Sequence, residues 1–171
     1  MGYVHDTAMS QWLPPSLAHY VTGTWADAAG QVATTIVKQK AAADNTATLT
    51  IPIVIPSNSV AYKGCKVSSI DVYWEVTVAA LDALSATIYL VTLPANGAAI
   101  GAPASQAFSY DTGHDTAAER LTLDQHTMTL TLTTAIWLDN DQVLQVELSV
   151  NAAANSVFDY IGARVNYTLR V

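Results

Sequence analysis

The stretch VSSIDVYWEVTVAALDALSATIYLVTL, residues Val67–Leu93, decides the fold class. From Ile70 the apolar side chains fall on every second position: Ile70, Val72, Trp74, Val76 and Val78. Asp71, Tyr73, Glu75 and Thr77 sit between them. A period of two is that of a strand with one buried face and one solvated or partner-facing face. After the break at Leu81–Leu84, Ala86–Leu93 is again dense in β-branched and aromatic residues, which predicts a returning strand. The two together read as a long antiparallel pair able to nucleate a sandwich.

The same alternation recurs on both sides of this stretch. Thr46–Pro56 sets Ala47, Leu49, Ile51, Ile53 and Ile55 against threonines and prolines, and Pro52, which lacks a ladder N–H, suggests an edge or a bulge. His126–Thr134 alternates His126, Met128, Leu130 and Leu132 with Thr127, Thr129, Thr131 and Thr133. Gln142–Val150 places Leu144, Val146, Leu148 and Val150 inward, and Ile161–Val171 points Ile161, Ala163, Val165, Tyr167, Leu169 and Val171 one way. With Gln31–Gln39 and Ala107–Tyr110 this makes about eight strands, and a helical turn is expected at Thr116–Arg120. An all-β, antiparallel two-sheet sandwich of jelly-roll or related Greek-key topology fits best, ahead of an up-and-down barrel.

Residues 1–30 show neither period, yet carry Tyr3, Trp12, Tyr20 and Trp25 around Pro14-Pro15. Prolines forbid helix there, and disordered tails are poor in aromatics. Two readings stand open: an irregular N-terminal arm that docks on a neighbour, or a first strand and loop covering their own core. The first divides the chain into an arm, 1–30, and a sandwich domain, 31–171. Its expected partner or oligomer interface is Tyr3, Trp12, Leu13, Pro14, Pro15, Tyr20 and Trp25, together with the outer threonines Thr127, Thr129 and Thr131.

Composition narrows function by exclusion. The 171 residues carry a net charge of −7, and their 7 Lys+Arg are scattered, so a nucleic-acid surface is not expected. Only 12% of residues are charged, which leaves a Thr/Ser/Asn/Gln surface that is cheap to desolvate. Cys65 alone excludes an internal disulfide. No basic, apolar leader opens the chain, and no apolar run approaches the ~18 residues of a membrane span, so a cytoplasmically made protein without membrane contact is expected.

Chemistry-bearing motifs are few. Asp111-Thr112-Gly113 matches the aspartic-protease tripeptide but is also ordinary turn chemistry, and His114 follows where those enzymes carry a small residue. His5, His19, His114 and His126 form no metal-ligand spacing, and His114 with Asp115 and Glu119 would need a further ligand. His126, on an apolar face, reads as a hydrogen-bonded core or interface histidine. Asp139-x-Asp141 lacks the ligand series of a calcium loop, and Asn166-Tyr167-Thr168 lies inside a strand. No cofactor, metal or enzymatic activity is expected. Tyr73, Tyr89 and Trp137 are candidates for a carbohydrate- or receptor-binding platform.

Taken together, the arm Tyr3–Trp25, the threonine comb Thr127–Thr133 and the closing strand Ile161–Val171 give the chain a general character that resembles the jelly-roll decoration (cement) proteins of tailed-phage heads. That resemblance implies a virion structural protein: a homo-oligomer, commonly a trimer, gripping the outside of a capsid through the major capsid protein or another virion protein. The alternative is a carbohydrate- or receptor-binding sandwich of a phage tail or cell surface.

Overall fold

The computed structural model describes residues 5–30, 35–56, 64–94, 98–99 and 101–170. Among these, twelve strands form two antiparallel sheets packed face to face. They are β1 (Asp6–Leu13), β2 (His19–Thr22), β3 (Trp25–Ala29), β4 (Ile36–Lys40), β5 (Thr46–Ile53), β6 (Cys65–Thr77), β7 (Ala83–Thr92), β8 (Ala104–Gln106), β9 (Phe108–Tyr110), β10 (Asp124–Leu138), β11 (Gln142–Asn151) and β12 (Val157–Arg170). The front sheet runs β3-β4-β12-β6-β10-β9, with β1 also paired to β12; the back sheet runs β2-β5-β11-β7-β8. From β4 onward, β4-β12-β6-β10 face β5-β11-β7-β8, which is jelly-roll connectivity.

The alternating runs bury the faces their period predicts. Ile70, Val72, Trp74 and Val76 of β6, Met128, Leu130 and Leu132 of β10, and Leu144, Val146, Leu148 and Val150 of β11 are all buried. Each such aliphatic side chain contributes about 1.5–3 kcal/mol relative to exposure. Pro52 sits on β5 beyond the stretch that β2 pairs, where no ladder N–H is needed.

Two expectations fail. β6 and β7 are not a hairpin pair. β6 is flanked by β10 and β12, while β7 lies between β11 and β8. Each strand has its own apolar face, so the chain crosses the core at Val78, which turns outward with φ 74°, and the two strands bury those faces from opposite sheets. In β12, Ile161 does not join the inward set. The register shifts between Tyr160 and Gly162, so Phe158 and Tyr160 point inward before the bulge and Ala163, Val165 and Tyr167 after it.

The described part of the expected arm belongs to both sheets of its own molecule. β1 pairs with β12 from Asp6↔Arg170 to Leu13↔Ala163, β2 pairs with β5, and β3 pairs with β4 across the supposed boundary at residue 30/31. Ladder hydrogen bonds and core burial both hold it: Leu13 is fully buried, and Trp25 meets Phe158 edge-on at 6.1 Å. Tyr20 of the back sheet stacks on Trp25 of the front sheet, with centroids 6.0 Å apart. Its hydroxyl donates to Asp27 at 2.8 Å, and Lys38 Nζ, paired with the same carboxylate at 2.5 Å, lies 4.7 Å from the Tyr20 ring. These aromatics close one edge of the sandwich.

Candidate functional site

The outer face of the front sheet carries a cavity of about 420 Å³, large enough for a small ligand. Trp12, Pro15, Ile36 and Ile161 form its apolar walls, and Glu75 and Gln125 its polar side. The β12 bulge builds it. Gly162 has φ +150°, and a Cβ there would run into the Trp12 ring and the Leu13 carbonyl. Only glycine lets the six-membered ring of the indole come this close to the strand. Trp12 stays 45% exposed, with its ring centroid 5.4 Å from Tyr73, while the Arg164 guanidinium lies 5.8 Å from the Tyr73 ring.

Below the aromatics a polar row crosses four strands through the register pairs Gln39↔Asp159, Asp159↔Glu75 and Glu75↔Gln125. Gln39 Nε2 donates to Asp159 Oδ1 at 2.9 Å. Asp159 and Glu75 are both buried. Burial pushes the Asp159 carboxyl above its ordinary range; the Gln39 bond opposes this, and the neighbouring Glu75 charge adds to it. Two rows further on, past Tyr73, Asp71 accepts from Thr129 Oγ1 at 2.8 Å and from Asn166 Nδ2 at 3.1 Å. The face thus combines an exposed indole with carboxylates and carboxamides held by their neighbours.

The expected interface residues scatter across this frame. Tyr3 lies outside the described residues. Leu13 and Trp25 are in the chain's own core, whereas Trp12 and Tyr20 are exposed on different sheets. Pro14 and Pro15 open a one-turn 3-10 helix, and Pro15 reaches the cavity. Thr127 and Thr131 are exposed on the same face as Trp12, with Thr129 tied to Asp71. Of the platform aromatics, Tyr73 meets Trp12, Tyr89 lies on the back sheet, and Trp137 is covered by Arg170 at 4.4 Å.

The other motifs resolve as structure. Asp111 caps a turn, accepting from Gly113 N at 3.0 Å and Thr129 N at 2.6 Å. The helical turn α1 (Ala117–Leu121) forms under a capping box, Thr116 Oγ1 accepting from Glu119 N and Glu119 Oε2 from Thr116 N. Glu119 is thereby committed to α1, and His114 turns away from it and from the exposed Asp115 toward Asp111 and His126. Among the described residues no group of three or more His, Cys, Asp or Glu could hold a metal ion. Asn166 donates to Ser69 and Asp71 from within β12.

No protein-family model matches the chain. No curated protein matches it either. Among solved structures it is similar to the family 11 carbohydrate-binding module from Clostridium thermocellum, determined in complex with a β-1,3-1,4-mixed-linked tetrasaccharide. The similarity is 10% in sequence identity, with a TM-score of 0.37, and covers 96% of this chain and 89% of that one.

Proposed function

We propose that this β-sandwich is a non-catalytic carbohydrate-binding module whose ligand enters the front-sheet cavity. The observation that carries the reading is the exposed Trp12 indole standing over that cavity opposite Glu75 and Gln125. A sugar ring offers an apolar C–H face to an indole and a rim of hydroxyls to carboxylates and carboxamides, so this wall and this rim suit it. Isothermal titration, with ligands drawn from a glycan array, tests the proposal. The wild-type chain should bind at least one glycan, and Trp12→Ala should weaken that binding at least about tenfold. Equal binding by both proteins, or none by the wild type, would sink it.

A second reading is the self-associating virion protein that decorates the outside of a capsid, made in the host cytoplasm. It draws support from the same face: the neutral hydroxyls of Thr127 and Thr131 are cheap to desolvate against another protein. Light scattering at micromolar protein separates the two. A stable trimer without glycan affinity favours the second, and a monomer with glycan affinity the first.

A further inference from the structure

Inside the sandwich, beneath the start of β10, a carboxylate and two imidazoles stand in a row. Asp111 Oδ1 lies 2.9 Å from His114 Nδ1, His114 Nε2 lies 3.2 Å from His126 Nδ1, and His126 Nε2 lies 3.0 Å from the Thr122 carbonyl. Both histidines are buried. The His126 ring stacks on Trp74 with centroids 4.8 Å apart and planes 8° from parallel, and His114 meets the same indole edge-on at 5.5 Å.

Three hydrogen bonds need three protons, and both ends of the row accept only. The Thr122 carbonyl has no proton to give, and the Asp111 carboxylate already accepts from two backbone N–H groups. The outer bonds therefore use the N–H of His114 Nδ1 and the N–H of His126 Nε2. In two neutral rings no proton is then left for the middle. His114 Nε2 and His126 Nδ1 would face each other at 3.2 Å as two lone pairs, each a buried acceptor without a donor. One further proton turns that repulsion into a charge-assisted N–H···N bond.

We propose that His114 and His126 form a proton-binding site, sharing one proton between Nε2 and Nδ1 against the Asp111 charge, and that this proton fastens residues 111–122 to the front sheet. The surrounding charges suit it. From the same segment come the Asp111 carboxylate, the exposed Asp115, and Glu119 on α1. Arg120, the cation of that segment, is buried and turned to the carbonyls of His114 at 2.5 Å, Asp115 at 3.3 Å and, on β7, Leu84 at 3.4 Å. Its guanidinium lies over the Tyr110 ring of β9 at 4.2 Å. β10 adds Asp124, bonded to the Gln125 N–H, and β6 adds Glu75 on the opposite face of the sheet. Of these carboxylates only Asp111 touches the pair, and its charge is the one that faces the shared proton. Without the shared proton the two lone pairs face each other, and the segment loosens from His126 and Trp74. His126 and Trp74 are register partners adjacent to Gln125 and Glu75, so the same two strands carry this site inward and the cavity's polar side outward.

The test is ring-nitrogen NMR of the full chain with ¹⁵N-labelled histidine, combined with amide hydrogen exchange between about pH 6 and 8.5. At the lower pH three protons should be shared over the four ring nitrogens. On raising the pH, protection of residues 114–122, corrected for intrinsic exchange, should fall about tenfold or more. Asp111→Asn supplies a carboxamide N–H to His114 Nδ1 at the cost of the Gly113 N–H bond to the same position, so two neutral rings complete the row and the pH step should vanish. Two neutral imidazoles in the wild type at the lower pH, with unchanged protection, would overturn the proposal. So would a pH step that survives in Asp111→Asn, or a stoichiometric chelatable metal bound between the rings. If the variant does not fold, the wild-type ring shifts alone decide.

Discussion

The two sheets share one kind of inner face and have opposite kinds of outer face. β11 runs through the middle of the back sheet without a register shift against either neighbour, and its outer row is Gln145, Glu147 and Ser149 beside the Thr48, Thr50, Ser85 and Thr87 of adjacent strands. β12 holds the matching place in the front sheet, and its register breaks twice, at Tyr160/Gly162 and Asn166/Tyr167. The first break lies under the Trp12 indole and beside the cavity. An unbroken ladder presents a flat surface, whereas an inserted residue opens a concavity and re-aims its neighbours. The difference between the faces therefore lies in one extra residue, Ile161, and in the glycine after it.

If the inner faces are equivalent, core truncations in either sheet should cost the same. Leu130→Ala in the front sheet and Leu148→Ala in the back sheet should each lose about 2–5 kcal/mol in denaturant melts. A loss several-fold larger in one sheet would show that the two halves are not one cooperative core. The outer faces should diverge at the bulge. Gly162→Ala must fit a Cβ against Trp12 at a φ that L-residues avoid, costing about 1–3 kcal/mol and removing glycan binding along with Trp12's position. Ser149→Ala, on the regular ladder of β11, should fall within about 0.5 kcal/mol. Matching losses at these two positions would mean the bulge is not what sets the faces apart.

The five alternating runs were readable because each pairs one buried face with one polar face. β1 was not, although its inward set Thr7, Met9, Gln11 and Leu13 also alternates with Asp6, Ala8, Ser10 and Trp12. An edge strand with little to bury has no apolar comb to display, so its aromatics read as freight for a partner. Two more strands, β2 and β3, were hidden by shortness, and β8 by its setting in a Gly/Ala/Pro-rich tract. Neighbourhood was equally hidden. Periodicity says that β6 and β7 each have an inside, but not whether they share a sheet. Tyr73 was singled out as a platform aromatic, yet its companion Trp12 comes from a strand some sixty residues earlier. Gly162 was the available signal, a lone glycine within a strand pattern, which marks a bulge or a close approach.

Charge distinguishes two sites of the front sheet next. Asp159 is buried beside Glu75, and its carboxyl is raised by burial first and by the Glu75 charge besides. A carboxyl that binds its proton more tightly folded than unfolded withdraws stability as pH climbs through its folded value. Asp159→Asn should therefore stabilise the chain at pH 7 by about 0.5–2 kcal/mol, with the gain shrinking toward pH 4. Asp111 has the opposite sign. Burial raises its carboxyl, but bonds from His114, Thr129 and Gly113 outweigh this and hold it low, so the stability it contributes is present near neutrality and lost on acidification. Thermal melts from pH 3 to 7 of Asp159→Asn and Asp111→Asn should diverge accordingly. Parallel curves would refute both assignments.

The smallest effects are expected at the threonines, and they decide between the two functional readings. Thr127 and Thr131 point outward from β10 and are exposed, while their neighbours Met128 and Leu130 are buried. In an isolated chain Thr127→Ala or Thr131→Ala should change stability by less than about 0.5 kcal/mol. A carbohydrate module would also tolerate Thr131→Lys, because Thr131 pairs with Ser69 well along β6 from Glu75 and the cavity. A self-associating coat protein would not, since a lysine buried in a subunit contact must be desolvated without a partner. The measurement is light scattering of wild type and Thr131→Lys at equal concentration, with thermal melts to confirm folding. Unchanged mass and unchanged glycan binding support the cavity as the working surface. A wild-type oligomer that the lysine dissociates makes this face an interface, and Trp12 then becomes part of a subunit contact.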